Sequence, residues 1–177
     1  MIAYVTSINE PTTEICRWAL DRLGFTTVLY IDQTSLWNKL EGIFEEATDD
    51  FLRVDADVIV NKNVLDLVAM DKLWWYQCMT FDWHKQDVTH GGVQFIRKQC
   101  IKPVLKHIRE AEHEDRPESY LYRLKEFHNP RVCGTFDKVC GLNGYMQNDI
   151  QRVKETKLRR GQYHNYDWEL SERISAL

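Results

Sequence analysis

The apolar positions change period along the chain, and the changes mark an alternation of strands and helices. Ile2 to Thr6 is a short run that predicts a buried strand. Glu10-Pro11-Thr12 then opens a helix with proline in its first turn. Ile15, Trp18, Ala19 and Leu23 recur at helical spacing, and Gly24 is a natural stop. Thr26 to Ile31 is β-branched and apolar, a second strand ending at Asp32. Leu36, Trp37, Leu40, Ile43 and Phe44 form one stripe of a second helix. Phe51 to Val54 is a third strand, running into Asp55-Ala56-Asp57. This order predicts an α/β fold with a central, mostly parallel sheet flanked by helices.

Beyond residue 70 the pattern is less regular. Leu73 to Trp83 reads as an aromatic-rich strand, His90-Gly91-Gly92 as a turn, and Val93 to Arg97 as another strand. A helix is expected over Lys102 to Glu112, where Pro103 is tolerable only in the first turn. Pro117 to Phe127 predicts a further helix, and Arg131 to Tyr145, with Gly134, Gly141 and Gly144, irregular strands or a hairpin. From Gln151 the chain is polar and basic. No repeat, low-complexity tract or linker interrupts it, so residues 1–177 read as a single compact domain.

Composition narrows the function. The 177 residues suit one core, and 23 Lys and Arg against 27 Asp and Glu leave a net charge of −4. That balance gives no general pull toward nucleic acid. Five cysteines, an odd number without a CxxC pair, read as reduced thiols in a cytosolic setting. Met1 to Val5 lacks the pattern of a signal peptide, and no stretch reaches the ~18 apolar residues of a membrane span, so a soluble, cytoplasmic protein is expected. The six tryptophans suit a core, but an exposed one can stack on a sugar face.

The strongest chemical signal is Phe51-Leu52-Arg53-Val54-Asp55-Ala56-Asp57. Two carboxylates lie two residues apart just past a buried strand, where ligands of open α/β sheets sit. They repel each other there, and a divalent cation removes that cost. The same cation can neutralise a diphosphate leaving group. The plain alternative is a pair of solvated turn aspartates.

With its strand–helix–strand opening and this Asp-x-Asp, the sequence resembles the GT-A glycosyltransferases, which are Rossmann-like. The resemblance implies transfer of a sugar, a hexose by default, from a nucleotide-diphosphate donor such as a UDP-sugar to a glycan or other hydroxyl acceptor. It also implies Mn²⁺ or Mg²⁺ on Asp57, with Asp55 on ribose or metal. Thr6, Ser7, Asp32 and Arg53 would join Asp55 around the nucleotide, whose binding half would span about residues 1–70. The acceptor half, about 71–177, would offer Gly91 and Gly92, where a backbone without side chains permits close approach of a sugar, together with Trp83. A plain hairpin turn is the other reading of those glycines.

Two more features extend the resemblance. Pro117-Glu118-Ser119-Tyr120 is similar to the helix that begins with the catalytic acid of inverting members, which makes Glu118 the candidate base and Asp115 its alternative. An acid in a first helical turn is also what the helix dipole favours. His164, in Gln162-Tyr163-His164-Asn165, matches the C-terminal histidine that completes the metal site in many members. Lys154, Lys157, Arg159 and Arg160 form either a solvated helix face or an approach to the diphosphate.

Three other readings compete with this one. Val54-Asp55-Ala56-Asp57 also fits the nucleophile motif of haloacid-dehalogenase phosphatases, but two strands precede it and no later Gly-Asp or Asp-Asp pair follows. A sugar-nucleotide pyrophosphorylase would need a glycine-rich first loop, and Thr6-Ser7-Ile8-Asn9 has no glycine. A non-catalytic GT-A domain that binds nucleotide or glycan is the non-enzyme alternative.

Overall fold

The computed structural model describes residues 1–31, 34–110, 133–144, 154, 155 and 158. In chain order the elements are β1 (Ile2–Ser7), α1 (Thr13–Arg22), β2 (Thr26–Ile31), α2 (Leu36–Glu46), β3 (Phe51–Asp55), β4 (Val58–Val60), α3 (Asn63–Val68), β5 (Trp75–Asp82), β6 (Asp87–Ile96), α4 (Lys98–Glu110) and β7 (Cys133–Asn143). The strands form one sheet in the order β2-β1-β3-β6-β5-β7-β4. The expected α/β architecture, a sheet flanked by helices, is borne out. The sheet is mixed rather than mostly parallel, however. β1 runs parallel to β2 and β3, and β5 to β7, whereas β6 is antiparallel to both β3 and β5 and β4 is antiparallel to β7. Hairpin connection explains the difference, because β5 and β6 are joined by a short turn that permits only antiparallel pairing.

Alternation along the strands divides the core into two layers. Ala3, Val5, Leu52, Val54, Tyr76 and Phe95 face α1 and α3, where they meet Cys16, Ala19, Leu20, Val64 and Leu67. Tyr4, Phe51, Trp75 and Ile96 face α2 and α4, against Trp37, Leu40, Ile43, Phe44, Ile101, Val104 and Ile108. Rings on that side meet edge to face, as between Tyr4 and Phe51 at 5.3 Å and 87°.

Helix α1 buries a different stripe from the one its bulk suggested. Cys16, Ala19 and Leu20 face the sheet, while Ile15 and Trp18 are exposed. Small side chains let the helix approach the strands closely, and Trp18 instead lies under the Arg22 guanidinium, 5.1 Å from its ring centre. Helix α4 begins at Lys98, so Pro103 lies inside it rather than in its first turn, and its ring removes one hydrogen bond to the Gln99 carbonyl.

The stretch His90-Gly91-Gly92 is not a turn. Strand β6 runs through it, and the turn lies at residues 83–86. The register explains the glycines: Gln77 pairs with Gln94 and Met79 with His90, so two steps along β5 match four along β6. The excess is a bulge at Gly91 and Gly92, whose φ angles of 137° and 74° suit glycine.

All five cysteines are free thiols, four of them buried. Among the described residues no helix is long and apolar enough to cross a membrane.

Candidate functional site

Parallel pairing brings three strand ends to one edge of the sheet. Thr6 lies beside Asp55, and Ser7 beside Ile31, the last residue of β2. Asp57 follows in the two-residue link to β4. The Ala56 amide donates to the Thr6 carbonyl (3.0 Å), and the Gly144 amide, just past β7, donates to the Asp57 carbonyl (3.0 Å). The Asp55-Ala56-Asp57 link is therefore held from one side by the first strand and from the other by the last.

Its two acids sit in unlike surroundings. Asp55 Oδ1 accepts from the Thr6 hydroxyl (3.0 Å) and from Arg53 Nη2. Arg53 comes from the middle of β3 and is only 1% exposed. Its position was expected to contact nucleotide directly; the buried guanidinium instead lies beneath the edge and binds the acid above it. Asp57 is half-buried, and its carboxyl is pushed up to about 7. Burial is the main cause, followed by the charges of Asp55 and Glu10, with Asp82 contributing less. Cys16 lies behind this edge, and its thiol is pushed up to about 12 by burial and then by Asp57 and Asp55.

The loop after β1 is closed upon itself. Ser7 Oγ donates to Glu10 Oε2 (2.5 Å), the Ile8 amide donates to the same oxygen (2.7 Å), and the Asn9 amide donates to Ser7 Oγ (2.8 Å). Asn9 takes a φ of 70°, which asparagine tolerates better than most residues. Below the loop Lys39 of α2, only 3% exposed, donates from Nζ to the Ser7 carbonyl at 2.5 Å.

On the far side, Asp82 ends β5 opposite Asn143. Its Oδ1 accepts from the amides of His84 and Lys85, both at 3.0 Å, which shapes the turn. His84 is buried against Gly144, where a methyl group would come within 3.1 Å of its Cδ2. Trp83 is half-buried and donates from its amide to the Asn143 carbonyl at 2.8 Å. Gly92 is buried against β4, and a Cβ there would lie 2.5 Å from Val58 Cγ2, next to Asp57. Thr80 Oγ1 donates to the Gly91 carbonyl at 3.2 Å.

The structure thus gathers Thr6, Ser7, Arg53, Asp55 and Asp57 at one edge, with Gly92 and Trp83 tied to the segments beside it. Asp32, Asp115, Glu118 and His164 lie outside the described residues. Glu10, Lys39, Asp82 and His84 were not singled out from the sequence. Glu10 reads as an ordinary acid at a helix opening and Lys39 as a polar position beside the apolar stripe of α2, so neither carries a signal of its own.

Hard oxygen donors short of positive charge suit Mg²⁺ or Mn²⁺. The Asp57 carboxyl has that character, since it holds a proton more tightly than usual beside a second carboxylate. Among the described residues no three His, Cys, Asp or Glu side chains converge as a complete metal cage. An ion held by Asp55 and Asp57 would have to draw its other ligands from a bound phosphate and water.

No family model matches the chain, and no curated protein matches it. Solved structures do. A glycosyltransferase involved in glycosylation of the major capsid protein of PBCV-1 superposes with a TM-score of 0.57 at 14% identity, over 80% of this chain and 92% of that one. The 4-diphosphocytidyl-2C-methyl-D-erythritol synthase of Anaerococcus prevotii gives 0.57 at 9% identity, over 82% and 90%. A putative glucose-1-phosphate thymidylyltransferase of Bacillus anthracis gives 0.55 at 8% identity, over 88% and 95%. Likeness at such identities establishes a fold, and the fold is GT-A-like.

Proposed function

We propose that the protein transfers a glycosyl group from a nucleoside-diphosphate sugar, by default a UDP-sugar, to a hydroxyl of a glycan or other acceptor. Asp55 and Asp57 would hold Mn²⁺ or Mg²⁺. The observation that carries the reading is the placement of Asp55 and Asp57 at the carboxyl edge of the sheet, beside the ends of β1 and β2; burial and the neighbouring acids push the Asp57 carboxyl up, which agrees with it. A bound divalent cation would supply the charge that stabilises the departing nucleoside diphosphate. The strand ends at Thr6 and Ser7 would take the nucleoside. Gly91, Gly92 and Trp83 would form the acceptor side. Glu118, with Asp115 as its alternative, would accept the acceptor's proton, and His164 would add a metal ligand.

Nucleotidyl transfer is the competing reading, because structures of that activity share the fold. The loop after β1 argues against it. Glu10 already occupies the Ile8 amide and the Ser7 hydroxyl, and its carboxylate would repel a triphosphate laid against that loop.

Thermal melts with UDP, UDP-sugars and nucleoside triphosphates, each with and without Mn²⁺, test the proposal. At a hundredfold excess over Kd a ligand stabilises by ~2.7 kcal/mol, or roughly 5–10 °C for a chain of this size. That shift is expected for a UDP-sugar with Mn²⁺ and should vanish in Asp57→Ala. A shift from triphosphates alone, with pyrophosphate released on adding a sugar phosphate, would favour nucleotidyl transfer. Binding of a sugar nucleotide without turnover of any donor would favour a non-catalytic domain.

A further inference from the structure

Arg53 has an arrangement that the two acids alone do not require. Charged side chains are seldom buried without a partner, because the loss of hydration costs several kcal/mol. Arg53 is 1% exposed in the middle of β3, between Tyr4 of β1 and Gln94 of β6. Its Nη2 donates to Asp55 Oδ1 and also to Thr6 Oγ1 (3.2 Å), while Thr6 Oγ1 donates to the same Asp55 oxygen (3.0 Å). Three side chains on two adjacent strands thus close a triangle around one oxygen. Arg53 Nε is buried and has no hydrogen-bond partner among the described residues, so the compensation of this charge is concentrated at that triangle.

A guanidinium is planar, permanently charged and anchored here by a rigid strand. A threonine on a neighbouring strand is stiff at χ1. Together they fix the rotation of the Asp55 carboxylate about its own bond, and so fix where Oδ2 lies.

We propose that Arg53 and Thr6 are positioning residues that hold Asp55 by Oδ1, so that it meets a bound divalent cation or ribose hydroxyl through one oxygen in one orientation. The inference rests on the metal-dependent reading of the site. Groups that orient a metal's ligands typically contribute about 10–100-fold to its affinity. A similar loss is expected here, confined to the metal-dependent part of binding.

Calorimetric titration of UDP with and without Mn²⁺ would read this on the wild type, Thr6→Val, Arg53→Met and Arg53→Lys. A melt in EDTA serves as the folding control. Thr6→Val conserves shape and leaves no buried charge, so it carries the test if Arg53→Met does not fold. Thr6→Val and Arg53→Met should each lose roughly tenfold or more of the affinity that Mn²⁺ adds, a larger loss than either shows in the absence of metal. Arg53→Lys should recover part of the loss, because an ammonium can reach Oδ1 but lacks the planar fork. Folded Thr6→Val and Arg53→Lys that both keep wild-type Mn²⁺ dependence would overturn the proposal while leaving the metal site intact. So would equal losses with and without metal. A wild type whose UDP affinity ignores Mn²⁺ would overturn the metal reading, and this proposal with it.

Discussion

Replacing Asp57 with asparagine keeps the shape of the side chain and removes its ability to ionise. The Asp57 carboxyl is raised from 3.8 to about 7, mainly by burial and then by Asp55 and Glu10. Three pH units amount to roughly 4 kcal/mol. The side chain keeps some contact with solvent, which screens part of this, and about 2 kcal/mol is the realistic cost of the charge. The sign follows from proton linkage. Between about pH 4 and pH 7 the folded protein holds the Asp57 proton while the unfolded chain has released it. Stability must therefore fall as pH rises through that window and level off above it. Asp57→Asn should melt near wild type at pH 4.5 but above it at pH 8, by roughly 4–8 °C for a chain of this size. Mn²⁺ should raise the wild-type melting temperature at pH 8 and leave the variant unmoved. Urea or thermal melts across pH 4.5–8 in EDTA, repeated with Mn²⁺, make the comparison. Wild type and Asp57→Asn with parallel pH profiles would refute the claim that this carboxylate is held ionised at a cost.

Two further outcomes bear on the surroundings of Asp57. Gly92→Ala would place a methyl group 2.5 Å from Val58 Cγ2 at a φ of 74°. It should cost about 1–3 kcal/mol in urea melts and, by displacing Val58, weaken Mn²⁺-dependent UDP binding. His164→Ala should weaken UDP binding in Mn²⁺ but hardly alter it in EDTA; equal losses by calorimetry would remove His164 from the metal shell.

The strands and helices of the first 55 residues could be read from their periods, because each is a local pattern: buried runs for β1 and β3, and the Trp37-Leu40-Ile43-Phe44 stripe for α2. Strand β4 is too short to show a period, although its residues are β-branched. Val58-Ile59-Val60 pairs with residues 141–143, and the pairing depends on Gly141, where a Cβ would lie 2.7 Å from the Ile59 carbonyl. The glycines in β6 misled in the opposite direction. They mark a bulge in a continuing strand, which the register of β5 decides. In the site, the Asp-x-Asp spacing was legible, but the environment of each acid was not. Arg53, a nucleotide contact by the resemblance, lies buried in the middle of β3, and its bond to Asp55 depends on the strand's place in the sheet. Glu10 and Asp82 reach Asp57 from distant parts of the chain, through the β1 loop and the end of β5.

The link Ala56-Asp57 has a consequence for how the protein is made. Strands β3 and β4 are neighbours in sequence but lie at the third and seventh places of the sheet, so the sheet must curl to bring its far end back. Strand β4 pairs with Val58 against Asn143, about 85 residues further along the chain. Closing such a long loop costs chain entropy before the contact repays it. A chain growing from its N-terminus can pair β1, β2 and β3 early, with Asp55 already beside Thr6. The Asp57 carbonyl receives its Gly144 donor only after that glycine has been synthesised. During translation Asp55 can therefore meet its strand partner well before the Asp57 carbonyl has a donor to meet.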